Sequence, residues 1–91
     1  MKSLERLFKN SVMKKILLFF NENSQSIDTA KGISVWIGCD EAIVQKALDK
    51  LVEEEIVMSH KTASMVAYSY TNQRDIVKKI ERYIKLMVGK L

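Results

Sequence analysis

Apolar residues recur along this chain with two periods, and the change of period divides it into elements. Leu4, Leu7, Phe8, Val12, Ile16 and Phe19 fall mostly three or four residues apart, the spacing of helix that buries one face. The polar pair Asn10-Ser11 marks a break in that stretch, with Ser11 a candidate cap for its second part. Asn21 to Ser26 is polar and reads as a loop. Asp28 is expected to cap a short helix from about Thr29 to Ile37, and Gly38 follows where a left-handed residue ends a helix. Asp40 is expected to cap the next helix, with Glu41 near its positive end. There Val44, Ala47, Leu48 and Leu51 form one buried stripe. Beyond Glu53-Glu54-Glu55 the period drops to two. Ile56-Val57-Met58-Ser59 and Met65 to Tyr70, with Val66, Tyr68 and Tyr70 alternating, read as two strands around the polar tip Ser59 to Ser64. Asn72 or Thr71 then caps a last helix with Ile76, Ile80, Tyr83, Ile84 and Met87 on one face. The expected order is helix, helix, helix, hairpin, helix, with no repeat, linker or low-complexity segment.

Composition supports this reading and narrows the chemistry. Ninety-one residues make one domain, and the absence of proline beside only three glycines favours long helices over a turn-rich β fold. Hydrophobic residues at 47% and charged residues at 29% give the balance of a folded, soluble chain. One cysteine, Cys39, excludes an internal disulfide, and with the single histidine, His60, it assembles no closed metal site. No cofactor is expected. Ile16 to Phe20, after Lys14-Lys15, is only five residues of apolar run and ends in Asn21-Glu22-Asn23. A secretory core needs roughly 7–15 and a membrane span about 20, so a cytoplasmic protein is expected. The formal charge of +4 and a pI near 9.3 point to an anionic partner such as nucleic acid, but the basic excess sits at the two ends and residues 21–60 are acidic on balance. There is no glycine-rich phosphate loop, nucleophile elbow or nucleophile–base pair at motif spacing, and Glu53-Glu54-Glu55 reads as a charge run at a helix end. An enzyme is not expected.

Two short helices joined by a glycine-containing turn form a helix-turn-helix, and the hairpin after them supplies a wing. At this point the residues resemble a known family: the chain is similar to the winged helix-turn-helix domains of small bacterial and archaeal transcription regulators. Leu7-Phe8 with Met13-Lys14-Lys15-Ile16-Leu17 resembles the family's first-helix signature. Ile33-Ser34 and Ile37-Gly38-Cys39-Asp40 resemble the "I-A-x-x-L-G-V-S" of its turn. Val44-Gln45-Lys46-Ala47-Leu48-Asp49-Lys50-Leu51 resembles its "V-x-x-x-L-x-x-L" recognition helix. The likeness covers about residues 4–88 and specifies fold better than function. It implies one mainly α domain over 1–91 with a small β-hairpin (α+β): a three-helix core, a recognition helix at about 40–53, a wing at about 56–70 and a C-terminal dimerisation helix at about 72–88. Glu55 stands where the family commonly has glycine, Val35 and Trp36 where it has polar residues, and Glu41 and Asp49 place acid on the face that would meet DNA.

The resemblance implies a DNA-binding transcription regulator acting as a homodimer on double-stranded DNA, or else a winged-helix module that binds protein without sequence-specific DNA work. Its candidate contacts are Ala42, Ile43, Gln45, Lys46, Asp49 and Lys50, opposite the buried stripe, with His60, Lys61, Thr62 and Ser64 on the wing. The broad face of Ile76, Ile80, Tyr83, Ile84 and Met87 is expected to pair two copies, beyond what the first helix covers. Val35 and Trp36 either form a patch for a partner or pack on a terminal helix, and Cys39 is read as a buried structural thiol. Lys9, Lys14, Lys15, Arg74, Lys78, Lys79, Arg82 and Lys85 read as solvated helix faces, some flanking the DNA footprint, with no membrane contact expected. No effector pocket is legible.

Overall fold

A computed structural model of the chain describes the backbone of residues 4–89 and the side chains of residues 6–86. The expected places of the Leu4, Met87 and Val88 side chains fall outside the described residues. The elements are α1 (Leu4–Lys9), α2 (Ser11–Glu22), β1 (Ile27–Thr29), α3 (Ala30–Ile37), α4 (Glu41–Glu53), β2 (Val57–Lys61), β3 (Val66–Tyr70) and α5 (Arg74–Gly89).

The helix breaks have local causes. Asn10, not Ser11, separates α1 from α2: its Oδ1 accepts from the N–H groups of Val12 and Met13 at 3.0 Å each. Thr29, not Asp28, caps α3, its hydroxyl accepting from Gly32 N–H at 3.1 Å. Asp28 lies in β1 and folds its carboxylate onto Thr29 N–H at 2.8 Å. A Cβ on Gly32 would run into that carboxylate, so glycine lets the strand end pack on the helix. Gly38 ends α3 at φ 69°, and its N–H and that of Cys39 both return to the Ser34 carbonyl. Asp40 holds the N-cap position of α4 but makes no side-chain cap bond.

The end of α4 is a Schellman turn. Ile56 N–H donates to the Leu51 carbonyl at 3.0 Å and Glu55 N–H to the Val52 carbonyl at 3.0 Å, while Leu51 and Ile56 are both fully buried. Glu55 occupies the left-handed position at φ 62°. The geometry usually given to glycine is therefore kept, with glutamate bearing it.

Three strands form one antiparallel sheet in the order β1-β3-β2. The hairpin pairs Val57 with Tyr70, Ser59 with Tyr68 and Lys61 with Val66 on one face, and Met58 with Ser69 and His60 with Ala67 on the other. The expected hairpin is present. The third strand is an addition: Ile27, Asp28 and Thr29 pair with Ser69, Tyr68 and Ala67. The core lies between the helices and the inner sheet face, built on Ile16, Leu17, Phe20, Ile33, Val44, Leu48, Leu51, Ile56 and Ile80. Phe20 stacks on Tyr70 at 5.8 Å, fastening α2 to β3.

α5 directs its apolar side at this same core. Ile76, Ile80 and Ile84 are buried within the chain, and Tyr83 is half-buried, stacked on Phe8 of α1 at 5.3 Å. The face expected to pair two copies is thus largely occupied intramolecularly, because α1 and α2 are long enough together to cover it.

Candidate functional site

α3, the turn at Gly38 and α4 form a helix-turn-helix in which the stripe of Val44, Ala47, Leu48 and Leu51 faces inward. At 3.6 residues per turn this turns Ala42, Ile43, Lys46, Asp49 and Lys50 outward, and all five are exposed. Ile43, at 52% exposure, is a large apolar side chain left in water beside two lysines. Glu41 is exposed in the first turn, where it favours the helix dipole and adds negative charge to the same end.

The wing stands beside this face. A groove of about 440 Å³ between α4 and the hairpin is lined by Gln45, Asp49, Val52, Ser59, Lys61, Val66 and Tyr68. Lys61 shares the inner face of the hairpin with Tyr68, so its side chain belongs to the groove wall. The tip is tied by Thr62, whose N–H donates to the Met65 carbonyl at 2.9 Å and whose hydroxyl accepts from Met65 N–H at 3.2 Å. Thr62 and Ser64 are exposed there.

Two of the expected site residues are placed differently from the rest. His60 is not at the tip: it pairs with Ala67 on the outer face of the sheet, turned away from α4, with Nε2 2.7 Å from Ser69 Oγ. One position of strand parity makes the difference, and Lys61 takes the inward place. Gln45 is half-buried, its amide nitrogen donating to the Tyr68 hydroxyl at 2.7 Å and to Asp49 Oδ1 at 3.0 Å. Tyr68 was not among the candidates. As an alternating aromatic in a strand it reads as core, and its hydroxyl's reach to α4 depends on how the sheet packs.

Val35 and Trp36 remain exposed, at 75% and 69%. The Trp36 ring leans on Phe19 at 5.9 Å and borders a groove of about 310 Å³ with Lys15, Leu18, Glu22, Asn23 and Ile37. Both expectations hold in part: Trp36 touches the long helix and leaves most of its surface free. Cys39 is only half-buried, its Sγ 3.8 Å from the Ile37 carbonyl and 4.0 Å from Lys15 Nζ. Among the described residues, no group of three or more His, Cys, Asp or Glu is placed to hold a metal ion, and no helix is long and apolar enough to cross a membrane.

A helix-turn-helix followed by a β-hairpin packed beside its second helix is a winged helix, and this chain has that fold. Several solved structures share it. HlyU from Vibrio cholerae N16961 matches with a TM-score of 0.70 over 91% of this chain and 86% of its own, at 18% identity. The AntR antimony-specific transcriptional repressor matches with a TM-score of 0.77 over 96% of this chain and 76% of its own, at 13% identity. Lactococcus lactis ZitR, as a mutant in apo form, matches with a TM-score of 0.67 at 26% identity over 99% of this chain and 67% of its own. A ZitR mutant in complex with DNA matches with a TM-score of 0.61 at 21% identity, covering 84% of this chain and 55% of its own. No family model and no curated sequence matches the chain.

Proposed function

We propose that the chain is a sequence-specific DNA-binding transcription regulator that works in the cytoplasm as a homodimer. The observation that carries this is the pairing of an exposed helix face, Ala42, Ile43, Lys46 and Lys50, with a wing that brings Lys61 into the groove beside it and exposes Thr62 and Ser64 at its tip. That is the geometry with which a winged helix sets one helix in the major groove and a hairpin along the adjacent backbone. The lysines supply phosphate contacts, and Ile43 and Ala42 suit thymine methyl groups. The fold likeness to a ZitR mutant solved in complex with DNA supports the same reading. His60 is left out of the contact set because it faces the other side of the sheet.

In this reading the dimer contact moves from Ile76, Ile80 and Ile84, which the core occupies, to the exposed Leu86 and the rim of the Phe8–Tyr83 stack. Two-fold pairing would present two recognition helices to successive major grooves. Selection of bound sequences from a random duplex pool tests the proposal. Enrichment of a site with two symmetric halves is expected, and failure to enrich any sequence at low salt would sink it.

A second reading has its own observation. Val35 and Trp36, exposed on the first helix of the helix-turn-helix beside an apolar groove, suit a protein partner. Under that reading the selection fails while Trp36→Ala abolishes capture of a specific protein.

A further inference from the structure

We propose that Tyr68 determines the base preference of α4. Together with Asp49 it holds both N–H groups of Gln45, leaving Gln45 to read DNA as an acceptor alone. The inference rests on the DNA-binding reading and names what one position of the site would contain.

A glutamine amide has two N–H donors and one carbonyl acceptor. Free in the major groove, it recognises adenine with both ends, accepting from N6 and donating to N7. Gln45 lacks that freedom. Its nitrogen donates to Tyr68 Oη at 2.7 Å and to Asp49 Oδ1 at 3.0 Å, which uses both donors. The chemistry fixes which end of the amide is which: an ionised carboxylate only accepts, so the nitrogen faces Asp49 and the carbonyl oxygen is left for a partner. Tyr68 is an anchored partner. It is 4% exposed and paired on both sides, to Ser59 of β2 and Asp28 of β1. Asp49 lies one turn along α4 from Gln45.

Gln45 is in the second turn of α4, the N-terminal part from which recognition helices reach base edges. Reading by the carbonyl oxygen alone selects an exocyclic amine, adenine N6 or cytosine N4, and disfavours guanine and thymine, which offer acceptors there. The same contact gives Asp49 a task on this face: its carboxylate orients Gln45. Freeing a donor by Tyr68→Phe or Asp49→Ala lets Gln45 add the N7 contact, and the position narrows to adenine.

The test compares the wild type, Gln45→Ala, Tyr68→Phe and Asp49→Ala in the same random-pool selection, with NMR of the Gln45 side-chain amide in the free proteins. Tyr68→Phe keeps the ring in the core, and Asp49 is exposed, so the second variant serves if the first is poorly folded. The wild type is expected to accept adenine or cytosine at one position per half-site. Gln45→Ala loses that preference, and Tyr68→Phe and Asp49→Ala favour adenine over cytosine by roughly fivefold or more. The Gln45 amide resonances shift toward solvent-exposed values in both variants. Unchanged resonances, or an unchanged preference in Tyr68→Phe and Asp49→Ala while the wild type still enriches a site, overturn this inference and leave DNA binding standing. No enrichment by the wild type, with the amide tether intact, overturns the DNA reading and this inference with it.

Discussion

Single residues carry conformational costs that can be measured. Glu55 sits at φ 62°, where an L side chain is disfavoured by roughly 1–2 kcal/mol. Glu55→Gly removes that cost and adds unfolded-state entropy, so a net gain of about 0.5–1 kcal/mol is expected from the urea midpoint. Gly38→Ala goes the other way at φ 69°, losing about 1 kcal/mol. Tyr70 gives a pH signature. Burial, with Glu81 nearby, pushes its phenol up to about 12 from 10.0. A folded pKa above the unfolded one means the native state holds the proton more tightly. Stability from this group is therefore full below pH 10 and is lost as pH rises toward 12. The Tyr70 hydroxyl is buried and has no hydrogen-bond partner among the described residues. Tyr70→Phe should therefore remove the alkaline loss, seen in denaturation at pH 9 and pH 11, and should not destabilise at neutral pH.

At the scale of elements, the sequence shows what is periodic and local and hides what depends on partners. The stripe of α4, the Gly38 turn and the alternation of Val66, Tyr68 and Tyr70 were legible because each is written in consecutive residues. β1 was not. Three residues, Ile27 to Thr29, are too few to show alternation, and their pairing with β3 spans about forty positions of chain. The same strand displaced the cap, since Asp28 in β1 left Thr29 to serve α3. His60 and Lys61, expected together on the wing, fall on opposite faces of the sheet because strand parity is set by register, which the polar loop does not reveal. Two predictions separate the roles of α5. Ile80→Ala, at a fully buried site, should cost about 2–5 kcal/mol in denaturant unfolding. Leu86→Ala should leave unfolding little changed and weaken self-association in sedimentation. On α4 and the wing, Lys46→Ala and Lys61→Ala should each weaken binding to all sequences alike and reduce the salt slope by about one.

For the whole molecule, the fold was legible and the candidate site only in outline. Apolar spacing specifies a winged helix, whereas the site depends on side-chain contacts between α4 and a strand 23 residues away, as between Gln45 and Tyr68. Charge runs the same way: the chain is +4 overall, yet Glu41 and Asp49 lie at the proposed interface. Asp49 keeps its charge while it holds Gln45, and the electrostatic part of binding rests on Lys46, Lys50 and Lys61. The most direct measurement is a salt titration of affinity for the enriched duplex beside a scrambled duplex of equal length. A log–log slope of several units is expected for both, with the enriched site held on the order of a thousandfold more tightly near physiological salt. Equal affinity for the two duplexes across the titration would contradict sequence-specific binding.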